Sequence, residues 1–295
     1  MRVPFVGSDA VAAGHLTKGQ LRHRYRPIYR GVYIPRQHEV SLHERILGAS
    51  LTSGGVVAGL AASALHGAKW VDDDIPVEVV AAGRRQRGLV IRYDTLAEDE
   101  VSMVASIPVT TPARTAFDLA RRLPRGEAVE RMDALMNASP YSIEDVKLIA
   151  KRHPGLRGLR KLAKVLPLVD GGAESPRETW LRLLFVDAGL PRPTTQFVVY
   201  DEVDRYVRRV DMVWREFKVG AEYDGEQHLT SRRQYRLDVQ VNRVLQRLGW
   251  HVIHVIKEDY GDDIIEEART ALLSRGWRPR LTRAQQSSAP PRSRP

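Results

Sequence analysis

Two apolar stretches, Tyr206–Trp214 and Val219–Asp224, flank the four residues Arg215-Glu216-Phe217-Lys218. Their β-branched and aromatic content predicts strands, and a connection of that length suits a hairpin. If Trp214 pairs with Val219, the antiparallel register sets Asp211 directly opposite Glu222. Asp224, two positions beyond Glu222, then projects from the same face. Val210, Val213, Val219, Ala221 and Tyr223 make both strands at least half buried, so three carboxylates are expected to converge. Like charges set opposite one another destabilise a sheet. A divalent cation between Asp211 and Glu222 relieves the repulsion, and Mg²⁺ favours such oxygen ligands. An acidic face turned to solvent relieves it as well.

The flanking segments fit this hairpin. Glu174-Ser175-Pro176-Arg177-Glu178 opens a helix through Ala188, with Ser175 as cap, Pro176 in the first turn and Glu178 at the third position. That capping role explains Glu178 structurally; the alternative is an acid pointing into a site. Asp224-Gly225-Glu226-Gln227-His228 turns the chain after the second strand. His228 there is either a surface residue or, beside a metal and a phosphate, a general acid or base or a phosphate ligand. Ser231–Leu248 reads as an amphipathic helix with Leu237, Val241, Val244, Leu245 and Leu248 on one face, ended by Gly249 and followed by a strand, Trp250–Ile256. Arg232, Arg233 and Arg236 on its first turns can reach phosphates. Helix, hairpin, helix and strand imply an α/β unit with a mixed sheet.

Near the N-terminus, short helices around Asp9–Ala13 and Thr17–Arg24 precede the extended segment Tyr29–Ile34, which is winged-helix order. Thr17 suits a cap, Gly14 the turn and Gly31 a tight bend in the wing. Arg22, Arg24, Arg26 and Arg30 are placed to contact phosphates or guanine edges, although small units of this kind also bind proteins. Ser41 to Trp70 reads as two packed helices, with His43 and His66 on helix faces or in the core. Pro76–Val80 and Leu89–Tyr93 read as strands, Thr111-Pro112 as a helix start running to Arg122, and Glu127–Leu166 as mostly helical. Asp170-Gly171-Gly172 is the clearest linker.

The chain has no cysteine, which excludes disulfides, thiolate zinc sites and cysteine nucleophiles. No stretch approaches the length of a membrane helix, and Met1–Ala10 has no leader-like apolar run, so a cytoplasmic protein with no membrane partner is expected. The net charge is +10, and six arginines from Arg275 onward, with no acid among them, make a basic terminus. It is either a solubilising disordered tail or an arm for nucleic acid.

Taken together, Glu174-Ser-Pro-Arg-Glu178, Val210-Asp211, Glu222-Tyr-Asp-Gly-Glu-Gln-His228, Asp238 and Leu248-Gly-Trp-His-Val-Ile253 resemble the very-short-patch-repair branch of the PD-(D/E)XK nucleases. The resemblance implies a restriction-endonuclease-like fold and a Mg²⁺- or Mn²⁺-dependent DNA endonuclease. In that scheme Glu178 is the helix acid, Asp211 and Glu222 hold the metal, and Asp224 and His228 complete the catalytic set. Asp224 stands where the superfamily often has lysine, and His254 where relatives commonly carry arginine. Gln20-Leu21, Arg30-Gly31-Val32-Tyr33 and Thr111-Pro-Ala-Arg-Thr-Ala-Phe-Asp-Leu119 resemble AbiEi-type antitoxins, which implies an N-terminal winged helix, DNA binding and a cognate toxin or defence-system partner. The expectation is an α/β (α+β overall) chain with a winged helix at 1–40, an AbiEi-like α+β domain at 41–169, a nuclease-like domain at 173–274 and a basic tail at 275–295. A non-catalytic regulator on a degenerate nuclease fold is the alternative.

Overall fold

The computed structural model describes residues 3–225 and 232–279, with side chains from residue 236 in the second stretch. His228, the side chains of Arg232 and Arg233, and Arg280, Arg283, Arg292 and Arg294 of the basic terminus lie outside the described residues. The chain forms two compact units, residues 1–176 and 177–295, in an α+β architecture with three sheets. No helix among the described residues is long and apolar enough to cross a membrane.

The first unit begins with β1 (Phe5–Val6), α1 (Gly7–Ala12), α2 (Lys18–Arg24), β2 (Tyr25–Tyr29) and β3 (Val32–Pro35). Thr17 caps α2 in a reciprocal capping box with Gln20, which satisfies two end groups of a short helix. The strands pair in the order β1-β3-β2. Gly31 takes φ +79° between β2 and β3, a conformation that glycine adopts without steric cost. The extended segment expected from Tyr29 is therefore a hairpin whose first arm, Tyr25–Tyr29, carries Pro27 and was not apparent from residue preference.

Next come α3 (Leu42–Ser53), β4 (Val56–Ala58), α4 (Gly59–Leu65), β5 (Val77–Val80), β6 (Leu89–Arg92), β7 (Val101–Val104) and β8 (Ile107–Thr110). The five strands form a mixed sheet in the order β6-β5-β4-β8-β7, with β5 and β6 parallel. Between the two expected helices of residues 41–70 lies β4, three residues long, which joins this sheet through tertiary pairing that no local pattern announces. One apolar core links Tyr29 and Val32 to Leu42, Ile46, Val57, Val77 and Val109. Of the two histidines, His66 bonds through Nε2 to the Thr110 carbonyl at 2.7 Å, and His43 is exposed.

Four helices complete this unit: α5 (Pro112–Arg122), α6 (Arg125–Ala138), α7 (Ile143–Arg152) and α8 (Leu159–Val165). Thr111 caps α5 and Pro112 occupies its first turn, as the sequence predicts. Helix α5 is buried from Arg114 to Arg121 and carries a stripe of charge into the interior. Arg114, fully buried, donates from Nε to Asp118 at 3.1 Å and from Nη1 to Glu100. Arg121 donates to Asp118 at 2.8 Å and also to Asp94, while Arg122 reaches Asp94 at 2.7 Å and Glu78 at 3.1 Å. Both the Arg114 and the Arg121 guanidinium lie 5.4 Å from the Phe117 ring centre, which adds cation–π attraction to the ion pairs.

The second unit runs α9 (Pro176–Asp187), β9 (Thr194–Tyr200), β10 (Tyr206–Trp214), β11 (Val219–Tyr223), α10 (Arg232–Arg247), β12 (His251–Val255) and α11 (Gly261–Ser274). Its sheet order is β12-β11-β10-β9, antiparallel except for the parallel pair β11–β12. Trp214 pairs with Val219, as expected, across a 3₁₀ turn closed by Lys218 at φ +48°. One face packs Met212, Trp214, Val219 and Ala221 against Leu181 and Phe185 of α9; the other packs Val210 and Val213 against Leu245 of α10. Leu237, expected on the apolar face of α10, is 46% exposed, because the packed stripe starts only at Val241. Arg275, assigned on composition to the tail, instead donates to the carbonyls of Phe217 and Gly249 at 3.0 and 2.7 Å, and Trp277 packs against the core.

Removing one member of a buried ion-pair network strands the remaining charge at a cost of about 3–5 kcal/mol. Arg114→Ala should therefore lower the melting temperature of the first unit by roughly 10 °C, read by calorimetry. A shift under about 2 °C would show that the interior tolerates Glu100 and Asp118 without their cation.

Candidate functional site

The sheet of the second unit loses its regularity at Asp211. The β10 pairing passes from Val210↔Phe197 to Met212↔Thr195 on one side and stops at Met212↔Ala221 on the other, so Asp211 has no ladder partner on either side. Across from it, Gln196 sits at φ +49°. Val210 and Val213, three positions apart, share one face while Met212 faces the other core, which strict alternation would not allow. The pairs from Met212↔Ala221 to Trp214↔Val219 keep the expected register, and the ladder ends one pair short of Glu222 and Asp211. Asp211 Oδ2 accepts the Tyr223 backbone N–H at 2.9 Å.

Glu178, at the start of α9, accepts from Gln196 Nε2 at 2.8 Å. Burial, and then the charges of Glu178 and Glu222, push the Asp211 carboxyl up to about 7, against the hydrogen bond from Tyr223 that pulls it down. The three acids thus share one electrostatic neighbourhood although their side chains are held by different partners.

Glu222 is 3% exposed, on a central strand between β10 and β12. The parallel register sets it beside His254, and Asp224 continues the strand by donating its N–H to Val255 at 2.8 Å. His254 Nδ1 lies 3.0 Å from Asp224 Oδ2 and 3.7 Å from Glu222 Oε2. Possible ligand atoms of Glu222, Asp224 and His254 all lie within 4.8 Å of one another. Arg208 approaches from β10, where the register with β9 shifts between Tyr206 and Arg208, and donates to Glu222 Oε1 at 2.7 Å and to Asp238 at 3.3 Å. Burial raises the Glu222 carboxyl above its ordinary value, with Arg208 opposing. The bond to Asp224 raises the His254 imidazole.

Asp224 therefore joins Glu222 as expected, whereas Asp211 stands outside the ligand-distance group and Glu178 is tied to Gln196. Arg208, Gln196 and His254 are contacts that sequence reasoning missed. The available signal was the charge balance itself: acids drawn together need a cation, and Arg208 on the same strand supplies one. Arg236 is exposed on α10. Arg22, Arg24 and Arg30 are exposed in the first unit, whereas Arg26 is half buried and donates to the His38 carbonyl at 3.0 Å, which gives it a structural job.

A family model described as the AbiEi antitoxin C-terminal domain matches residues 10–170, more than half of the 295-residue chain. The chain belongs to this antitoxin family. The match lies within the first unit and takes in the charged helix α5, so the internal arginine network sits in the family's own domain. Two similar proteins are the "uncharacterized protein Rv2248" and "uncharacterized protein MT2308" of Mycobacterium tuberculosis strains H37Rv and CDC 1551. Each is 28% identical over 237 residues, covering 79% of this chain and 85% of the relative. An alignment of 237 residues exceeds the 176 of the first unit, so the likeness to these relatives extends into the second.

A carboxyl that holds its proton more tightly when folded makes stability fall as pH rises from its unfolded value to its folded one. For Asp211 that window runs from 3.8 to about 7, and the loss is complete above it. Asp211→Asn keeps an acceptor for Tyr223 and removes the charge. In EDTA it should melt higher than the parent at pH 8 and together with it near pH 3. Equal melting at both pH values would contradict the burial of a charged Asp211.

Proposed function

We propose that the second unit is a divalent-metal-dependent endonuclease acting on DNA, and that the exposed arginines of the winged helix bind the duplex. The observation that carries this reading is the Glu222 carboxylate, almost wholly withdrawn from water with Oε2 lacking a hydrogen-bond partner among the described residues. Desolvating a carboxylate costs several kcal/mol, and perturbed acids held together in this way cluster at functional sites. The order helix, three antiparallel strands, helix and parallel strand supports the likeness to very-short-patch-repair nucleases. Membership of an antitoxin family supports a toxin–antitoxin or defence setting, with a cognate toxin as a further partner.

In this reading Asp211 and Glu222 hold Mg²⁺ or Mn²⁺, carboxylates being the oxygen donors such ions take. The bound ion would make water more acidic and stabilise charge on the phosphodiester. The protein's own groups do the remaining work. Glu178 and Gln196 fix the Asp211 side of the site, and Arg208, held beside Glu222, offers a cation to a phosphate oxygen where Asp224 replaces the superfamily lysine. His228 is the proposed proton-transfer group and lies outside the described residues.

A specific contact favours a second reading. Arg208 already neutralises Glu222 without any metal, which suits a regulator that binds DNA or toxin through a degenerate nuclease fold.

Supercoiled plasmid incubated with the full chain in Mg²⁺ or Mn²⁺ should be nicked, with activity lost in EDTA and reduced at least about 100-fold by Asp211→Ala. DNA binding retained with no cleavage under either ion would discard the nuclease in favour of the regulator. Arg22→Ala combined with Arg24→Ala should weaken duplex binding and flatten the dependence of log K on log salt by about 2, which titrations at several salt concentrations measure. An unchanged slope would remove α2 from the DNA contact.

A further inference from the structure

We infer that Glu222, Asp224 and His254 form a second cation site in this unit, selective for first-row transition ions such as Mn²⁺ or Co²⁺ over Mg²⁺. The ligand-distance group and the buried Glu222 Oε2, which has no hydrogen-bond partner among the described residues, are two observations that point to the same place. The Glu222 side chain is 4% exposed, and its other oxygen is occupied by Arg208, so the free oxygen is held in a fixed direction toward His254. Asp224 and His254 are each 33% exposed, which leaves the site open to ion entry and to water ligands.

The second contact of His254 orients its ring. Asn242 on α10 lies 3.4 Å from Nε2, and its carboxamide oxygen is buried without a partner among the described residues. Rotating the carboxamide by half a turn gives that oxygen the Nε2–H and leaves the lone pair on Nδ1, directed at the two carboxylates. This is the arrangement in which an outer partner fixes the tautomer of a metal-binding histidine. Three lone-pair donors facing one another call for a cation between them. Affinity for a mixed nitrogen and oxygen set rises along the first-row ions from Mn²⁺ through Co²⁺, whereas Mg²⁺ prefers an all-oxygen set with several waters, so the histidine decides the selectivity.

Tag-free full-length protein titrated with Mn²⁺ and followed by electron paramagnetic resonance should bind the ion with a ¹⁴N coupling from an imidazole ligand. His254→Ala should abolish that coupling and weaken Mn²⁺ at least about tenfold, while affinity for Mg²⁺ changes little. Asp224→Asn, which keeps the size of the side chain, should weaken Mn²⁺ as well; circular dichroism shows whether each variant is folded. Absence of the nitrogen coupling in the parent, or its persistence in folded His254→Ala, overturns the inference. These readouts do not depend on cleavage. Mn²⁺ bound at His254 without plasmid nicking sinks the nuclease alone, and nicking without His254 ligation sinks this site alone.

Discussion

Glu222 is almost entirely removed from water and, among the described residues, pairs with one guanidinium, that of Arg208, so the polar groups around it must offset a buried charge. A carboxylate on a central strand cannot relieve its charge by turning to solvent, so neighbouring elements must bring polarity to it. β10 brings Arg208, β12 brings His254 at the paired register position, and α10 brings Asp238 behind the arginine. Asp211, just beyond the end of the β10–β11 ladder, takes a polar partner of its own from the Tyr223 backbone N–H.

The first unit handles buried charge differently. On α5, Arg114, Asp118 and Arg121 succeed one another at helical spacing, and Asp94, Glu100 and Glu78 close the array from the sheet side. Here the cations and acids answer one another within the protein, with Phe117 filling the space between two guanidinium planes. Such an array specifies how helix and sheet fit together. Each cluster keeps one buried polar atom without a hydrogen-bond partner among the described residues, Arg114 Nη2 in this array and Glu222 Oε2 in the other. What sets the second apart is access: Asp224 and His254 beside Glu222 are each 33% exposed, whereas Arg114 and Asp118 are wholly buried.

What the sequence discloses and what it withholds divide along physical lines. The β10–β11 register was legible because a short connection and two alternating runs fix it locally, and Thr17 and Thr111 announced their helices through cap chemistry. The strands β4, β7, β8 and β9 were not legible, since short strands draw their stability from partners remote in sequence. Within the site, Glu222 and Asp224 could be anticipated from spacing, and a place for Glu178 only from the resemblance to nucleases. The left-handed backbone of Gln196, across from Asp211 on β9, could not, because no residue pattern marks it. Arg208 escaped notice for a related reason: its reach to Glu222 follows a register shift that alternation does not describe.

The β2–β3 hairpin is fastened at its tip. The Arg30 N–H donates to the Gln86 side chain at 2.6 Å, the Arg30 carbonyl accepts from Thr52 at 2.7 Å, and the Tyr29 hydroxyl reaches the Gly88 carbonyl at 3.4 Å. A hairpin anchored in this way gives up its conformational freedom during folding, before any partner arrives. Whatever that hairpin meets, the encounter is relieved of the entropic penalty that a loose loop would incur, and so a modest contact area can suffice for useful affinity.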